Sequence, residues 1–180
     1  MPSQGQSAIK VGVVPTGRHG TAVILALCAQ VAFIQAADWP QFRGPNRDGT
    51  SPETGLLRIW PEGGPRLVRT IHGVGEGFSS PSIAGGRLYI TGKVGADLRI
   101  FCFDLSGQKI WETTHGPAYN GETAPHSPYP GARAAPTVDG DRLYLLGGLG
   151  RLAAYHAANG ERVWTVDIVG ELGEIGRAHV

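Results

Sequence analysis

The side chains best suited to chemistry lie in one stretch, residues 115–133. His115, Glu122 and His126 bring two imidazoles and a carboxylate, a donor set that suits zinc, and they are the metal candidates of the chain. Their spacing follows no established ligand pattern. Arg133 closes the stretch just ahead of a β-like run, where a guanidinium could hold an anion; it is the candidate for cofactor binding. The same stretch carries Gly116, Pro117, Gly121, Pro125, Pro128, Pro130 and Gly131. The plainer reading is therefore a connection stiffened by proline and glycine that holds no ligand. No catalytic residue is assigned.

Three other features invite a site and are better read as structure. Cys102 sits in the apolar run Ile100-Phe101-Cys102-Phe103 and reads as a packed core thiol. Gly73-Val74-Gly75-Glu76-Gly77 has the glycines of a phosphate loop, but such a loop must open a helix. This one runs into Ser79-Ser80-Pro81, a strand start. Asn46-Arg47-Asp48-Gly49-Thr50 lacks the alternating oxygen ligands of a calcium loop and reads as a turn-rich clasp.

The elements that must position these residues are short strands. Glycine (28) and proline (13) are plentiful and charged residues make up only 17%, which implies many turns and few long helices. A 41% hydrophobic content is enough for a core. Residues 1–37 hold Lys10 and Arg18 and no acid, so the remainder carries 14 − 15 = −1. That balance gives no basic field for nucleic acid.

A repeat sets the organisation. Ser80-Pro81-Ser82-Ile83 through Trp111 matches Ala135-Pro136-Thr137-Val138 through Trp164. Each copy has a strand start after a proline, a two-residue turn (Gly85-Gly86, Gly140-Asp141) and an Arg-Leu-Tyr run (Arg87-Leu88-Tyr89, Arg142-Leu143-Tyr144). A third apolar run follows, then a glycine turn (Gly107, Gly160) and a last strand ending near tryptophan. Pro81 and Pro136 stand at strand starts, where a missing N–H does least harm. The pattern predicts two four-stranded antiparallel meanders, about residues 79–112 and 134–166. Residues 66–71 stand in the place of a last strand, with Arg69 at the tryptophan position. Four-stranded repeats of this length are propeller blades. Trp111 and Trp164 are expected to be mostly buried between blades, Trp164 less so because its neighbouring blade is missing.

The segments Asp104-Leu105-Ser106-Gly107-Gln108-Lys109-Ile110-Trp111 and Ala157-Ala158-Asn159-Gly160-Glu161-Arg162-Val163-Trp164 resemble the repeat of pyrroloquinoline-quinone (PQQ) propellers. That repeat has the form Asp-Ala-x-Thr-Gly-x-x-x-Trp. Ser106 and Asn159 replace its threonine and His156 its aspartate. The segment Trp39-Pro40-Gln41-Phe42-Arg43-Gly44-Pro45-Asn46-Arg47-Asp48-Gly49 resembles the opening of large secreted propellers, of the PQQ-binding-like, outer-membrane assembly factor-like and polyvinyl-alcohol dehydrogenase-like types. The resemblance implies an all-β, partial propeller over residues 65–169, preceded by an N-terminal segment at 38–64. It also implies a choice of function. One is a binding or scaffold module at the cell envelope, with envelope proteins or a polymer or carbohydrate as partners. The other is the N-terminal part of a PQQ-dependent alcohol dehydrogenase. The cofactor is left unknown: PQQ and Ca²⁺ could be held only by the full-length protein, and this stretch by itself is expected to be inactive.

Both ends are set apart. Lys10, Arg18 and His19 precede an apolar run from Ala22 to Ile34 that exits through Gln35-Ala36-Ala37, the pattern of a cleaved signal peptide over 1–37. The run is short for a membrane span. A lipid anchor on Cys28 is disfavoured by the bulky Leu27. The expected location is periplasmic or extracellular, with membrane contact only through the leader. Residues 170–180, ending Glu174-Ile175-Gly176-Arg177-Ala178-His179-Val180, look like a translated sequencing adapter, so His179 is not a ligand candidate. The natural chain is expected to continue with more blades.

Overall fold

The computed structural model of the chain describes residues 37–121 and 129–172. The chain divides into Met1–Ile34, outside the described residues, and Gln35–Val180, which holds everything reported below. The leader, Glu122, His126 and the final residues 173–180 lie outside the described residues.

Eight strands make two antiparallel sheets of four in meander order. The first holds β1 (Ser82–Ala84), β2 (Arg87–Val94), β3 (Asp97–Asp104) and β4 (Lys109–Pro117). The second holds β5 (Thr137–Asp139), β6 (Arg142–Leu146), β7 (Arg151–His156) and β8 (Arg162–Asp167). A short helix α1 (Ile168–Leu172) follows β8. The repeated turns fall where the sequence placed them. Gly85 and Gly86 both have positive φ, the conformation a two-residue hairpin needs.

Strand β4 runs further than the repeat suggested. It continues to Pro117, with Leu98 opposite Gly116, so His115 and Gly116 are strand residues rather than part of a loop. The register shift between Leu98 and Arg99 lets the strand bend and continue past the tryptophan segment.

The core lies between the sheets. Tyr89, Leu98, Ile100 and Cys102 from the first meet Leu143, Leu145, Ala153 and Tyr155 from the second in one buried cluster. Both faces of β3 are covered, since Phe101 and Phe103 alternate with Ile100 and Cys102 and are also buried. The short strands β1 and β5 are neighbours and form the inner edge of the pair.

The N-terminal segment seals that edge. Trp39 exchanges two backbone hydrogen bonds with Ile83 of β1 (2.8 and 2.9 Å), and the Pro40 carbonyl accepts from Val138 of β5 at 2.8 Å. The loop 73–77 packs backbone on backbone. Glu76 exchanges hydrogen bonds with Lys93, and a β-carbon on Gly92 would stand 1.6 Å from the Val74 carbonyl oxygen. Glycine is needed there for close approach, and no helix follows. Residues 66–71, matched in sequence to a last strand, form no strand, yet Arg69 and Ile71 still lie beside Gly107 of the first sheet.

Candidate functional site

The sheets join through side chains of the first that hold a turn of the second. Asp104–Gly107 and His156–Gly160 are equivalent turns, each with its glycine at positive φ (83° and 75°). Across the interface, Trp111 lies against Gly160 so closely that a β-carbon there would be 2.5 Å from Cε3 of the ring. The indole Nε1–H donates to the Ala157 carbonyl at 3.2 Å and the Tyr89 hydroxyl donates to the same oxygen at 3.3 Å. Arg87 Nη1 donates to the carbonyls of Ala157 and Ala158 at 3.2 and 3.0 Å. Arg87 and Tyr89 escaped the sequence reading as site residues; their signal was the repeated Arg-Leu-Tyr run.

His115 makes a second joint, buried at the far end of the same interface. Its Nε2 is 3.1 Å from the Arg151 carbonyl oxygen and its Nδ1 is 2.9 Å from the Tyr155 hydroxyl. A carbonyl can only accept, so Nε2 carries the proton and Nδ1 accepts from Tyr155. Burial, helped by the charges of Arg151 and Arg162, pulls the His115 pKa down to about 4, so the ring is neutral at ordinary pH. Arg151 returns across the interface and donates to the His115 carbonyl at 3.1 Å. Both ring nitrogens are committed, so His115 is not available as a metal ligand; it is a satisfied core histidine.

Beside this joint lies a small cleft of about 160 Å³, lined by His115, Pro117, Leu149, Arg151 and Asp167. Its size is below the ~300 Å³ that small-molecule sites commonly start from. Arg133 stacks over the Tyr119 ring, 5.1 Å from its centroid, and donates from Nη2 to the Tyr129 carbonyl. Its Nε is buried with no hydrogen-bond partner. Tyr129 meets Phe78 edge-on at 5.8 Å. Arg133 thus keeps polar capacity at its Nε.

Cys102 is buried and burial pushes its thiol up to about 11, which keeps it protonated and unreactive. Pro81 and Pro136 directly precede β1 and β5, and the Pro136 carbonyl accepts from the buried Ser82 hydroxyl. Trp164, expected to be mostly buried, is 40% exposed because no further sheet covers it among the described residues. Among those residues no group of three His, Cys, Asp or Glu could hold a metal ion.

Two four-stranded meanders packed face to face, with their short first strands together, are neighbouring blades of a β-propeller. A family model for PQQ-type repeats, described as outer membrane protein assembly factor BamB, matches residues 96–175, and over that stretch the chain is similar to that family. No curated protein matches the chain. Among solved structures it is similar to the quinohemoprotein alcohol dehydrogenase from Comamonas testosteroni, at 16% identity and a TM-score of 0.43 over 77% of this chain and 20% of that one. The chain spans about a fifth of that structure's length.

Proposed function

We propose that the chain is part of an exported propeller protein that binds or scaffolds partners at the cell envelope, in the periplasm or outside the cell. The observation that carries this reading is an apolar run held in the open. Leu56, Leu57, Ile59 and Trp60 all lie exposed ahead of the blades, Ile59 to 84%. Clustered apolar exposure of this kind marks interaction surfaces. The match to a family described as an outer-membrane assembly factor agrees with an envelope location. The leader pattern agrees with export, and among the described residues no helix is long and apolar enough to cross a membrane.

The test is co-sedimentation of the purified protein with outer-membrane vesicles, comparing the wild type with an Ile59→Asp, Trp60→Asp double variant. Retention that the variant loses supports the reading. Equal sedimentation of both, or of neither, overturns it.

A further inference from the structure

The clasp at the inner edge of the blades begins where the leader pattern ends. Three consecutive residues, Asp38, Trp39 and Pro40, tie the N-terminal segment to both sheets. The Asp38 carboxylate accepts from the Gly85 N–H at 3.1 Å. Trp39 pairs antiparallel with Ile83, donating its N–H to the Ile83 carbonyl at 2.8 Å and accepting the Ile83 N–H on its own carbonyl at 2.9 Å. The Pro40 carbonyl accepts from Val138 of β5 at 2.8 Å. Proline suits that position, since only its carbonyl takes part. The Trp39 ring lies over Gly44, where a β-carbon would stand 2.7 Å from Cη2, so the segment is also fixed from its far side.

The exit Gln35-Ala36-Ala37 puts the bond to be cut after Ala36 or Ala37. An extended chain covers at most about 3.6 Å per residue, so that bond lies within about 10 Å of the Trp39 backbone. A protease grips the backbone on both sides of the bond it cuts, in the extended form in which a strand adds to a sheet edge. On the product side those grips fall on residues 38–40. Their backbone groups are the ones that β1 and β5 use.

We infer, on the reading of residues 1–37 as a cleaved leader, that residues 38–40 serve two partners in turn: first the protease that removes the leader, then the edges of β1 and β5. The two uses exclude each other. Hydrolysis adds one water across the amide after Ala36 or Ala37, leaving a carboxylate on the leader and an amino group on the mature chain. It has to come before the clasp closes, and a precursor that folds first holds its own cleavage site shut. The clasp that spans β1 and β5 therefore closes on the processed chain. Every contact it uses lies within the described residues.

The test uses the full precursor, Met1–Val180, and a purified bacterial signal peptidase in detergent, with intact mass as the readout. Precursor diluted from urea into the peptidase is expected to be cut after Ala36 or Ala37. Precursor allowed to refold first should be cut at least about tenfold more slowly, because only its briefly opened clasp can enter the protease. A six-residue Gly/Ser spacer inserted between Ala37 and Asp38 leaves the exit and the clasp intact and adds about 20 Å of reach. The refolded spacer precursor should be cut as fast as the unfolded wild type. Slow hydrogen exchange at the Ile83 and Val138 amides of both refolded precursors reads clasp formation independently of cleavage. Equal cutting of refolded and unfolded wild type overturns the inference and leaves the leader reading standing. Resistance that the spacer does not relieve, or fast exchange at both amides, does the same. A precursor cut in neither form, with or without the spacer, overturns the leader reading and this order of events with it.

Discussion

The indole of Trp111 rests on Gly160, and no side chain of any size fits between them: a β-carbon at Gly160 would stand 2.5 Å from Cε3 and 2.8 Å from Cζ3. The glycine also has φ of 75°, a conformation that costs other residues energy. Gly160→Ala should therefore lose about 2 kcal/mol, from backbone strain and from displacement of the ring. Trp111→Ala should lose about 3 kcal/mol, since the ring is part-buried and donates to Ala157. Trp164→Ala, at an exposed ring, should lose under about 1 kcal/mol in the monomer. Urea unfolding of the three variants at one low protein concentration gives the ranking. Equal losses at Trp111 and Trp164 would contradict the account of the interface.

His115 should make the blade joint sensitive to acid. Its pKa falls from the ordinary 6.5 to about 4 in the folded chain because the charged ring would be buried. As pH drops, the unfolded state takes up the proton first. Stability is therefore complete above about 6.5 and declines as the pH falls toward 4, by about 3 kcal/mol in all. Asp104 and Glu112 are held below the ordinary carboxylate range, so their contributions are lost only at lower pH. Thermal melts between pH 7 and 4 should show the decline, and His115→Gln should flatten it. A wild-type midpoint that does not move over that interval would rule out the buried neutral imidazole.

Arg69→Trp should stabilise the first blade. Arg69 already occupies the position over Gly107 that Trp111 occupies over Gly160. An indole there would bury more apolar area, worth about 1 kcal/mol after the exposed residue's losses on ordering. The measurement is the urea midpoint of the variant against the wild type. A lower midpoint would mean that residues 66–71 do not stand in for the outer strand of a preceding blade.

Much of this was legible in the sequence because the repeat is a packing solution written twice. Glycine, tryptophan and the Arg-Leu-Tyr run recur at matching places since each blade must present the same two faces. The turns at Gly85-Gly86 and Gly140-Asp141 were readable for the same reason. The extent of β4 was not, because Pro117 and Gly116 look like loop residues. They are held in the strand by pairing with Asp97 and Leu98 and by Arg151, which a local reading does not see. The partners of His115 were hidden in the same way. A histidine in a proline-rich stretch suggests a ligand, and only the fold reveals that Tyr155 and Arg151 use both its nitrogens. Arg69 breaks the tryptophan pattern, and residues 66–71 accordingly keep the position of a strand without its hydrogen bonds.

Export makes a separate prediction. The basic start, the apolar run from Ala22 to Ile34 and the Gln35-Ala36-Ala37 exit should be processed in a Gram-negative host. The intact mass of the exported product should lack about 36 residues from the N-terminus. A product that retains Met1 would sink the signal-peptide reading, and lipid mass on a new N-terminal Cys28 would replace it with an anchored form.

The last prediction concerns cofactor. The described residues bring no metal-ligand group together, and Cys102 is their single cysteine, buried and protonated. The cleft by His115 is too small for a tricyclic quinone at about 160 Å³, and its histidine is committed on both nitrogens. Arg133 has one buried unpaired nitrogen and stacks on Tyr119, which suits a single anionic group better than a coordinated cofactor. The chain should therefore retain no PQQ through gel filtration after incubation with excess PQQ and Ca²⁺, read by quinone absorbance. Dye reduction with simple alcohols should stay at the level of free cofactor. Arg133→Ala supplies the control, because weak retention through that guanidinium alone would vanish in the variant and would yield no turnover. Stoichiometric retention accompanied by turnover would instead require a complete site and would move the dehydrogenase reading ahead of the scaffold.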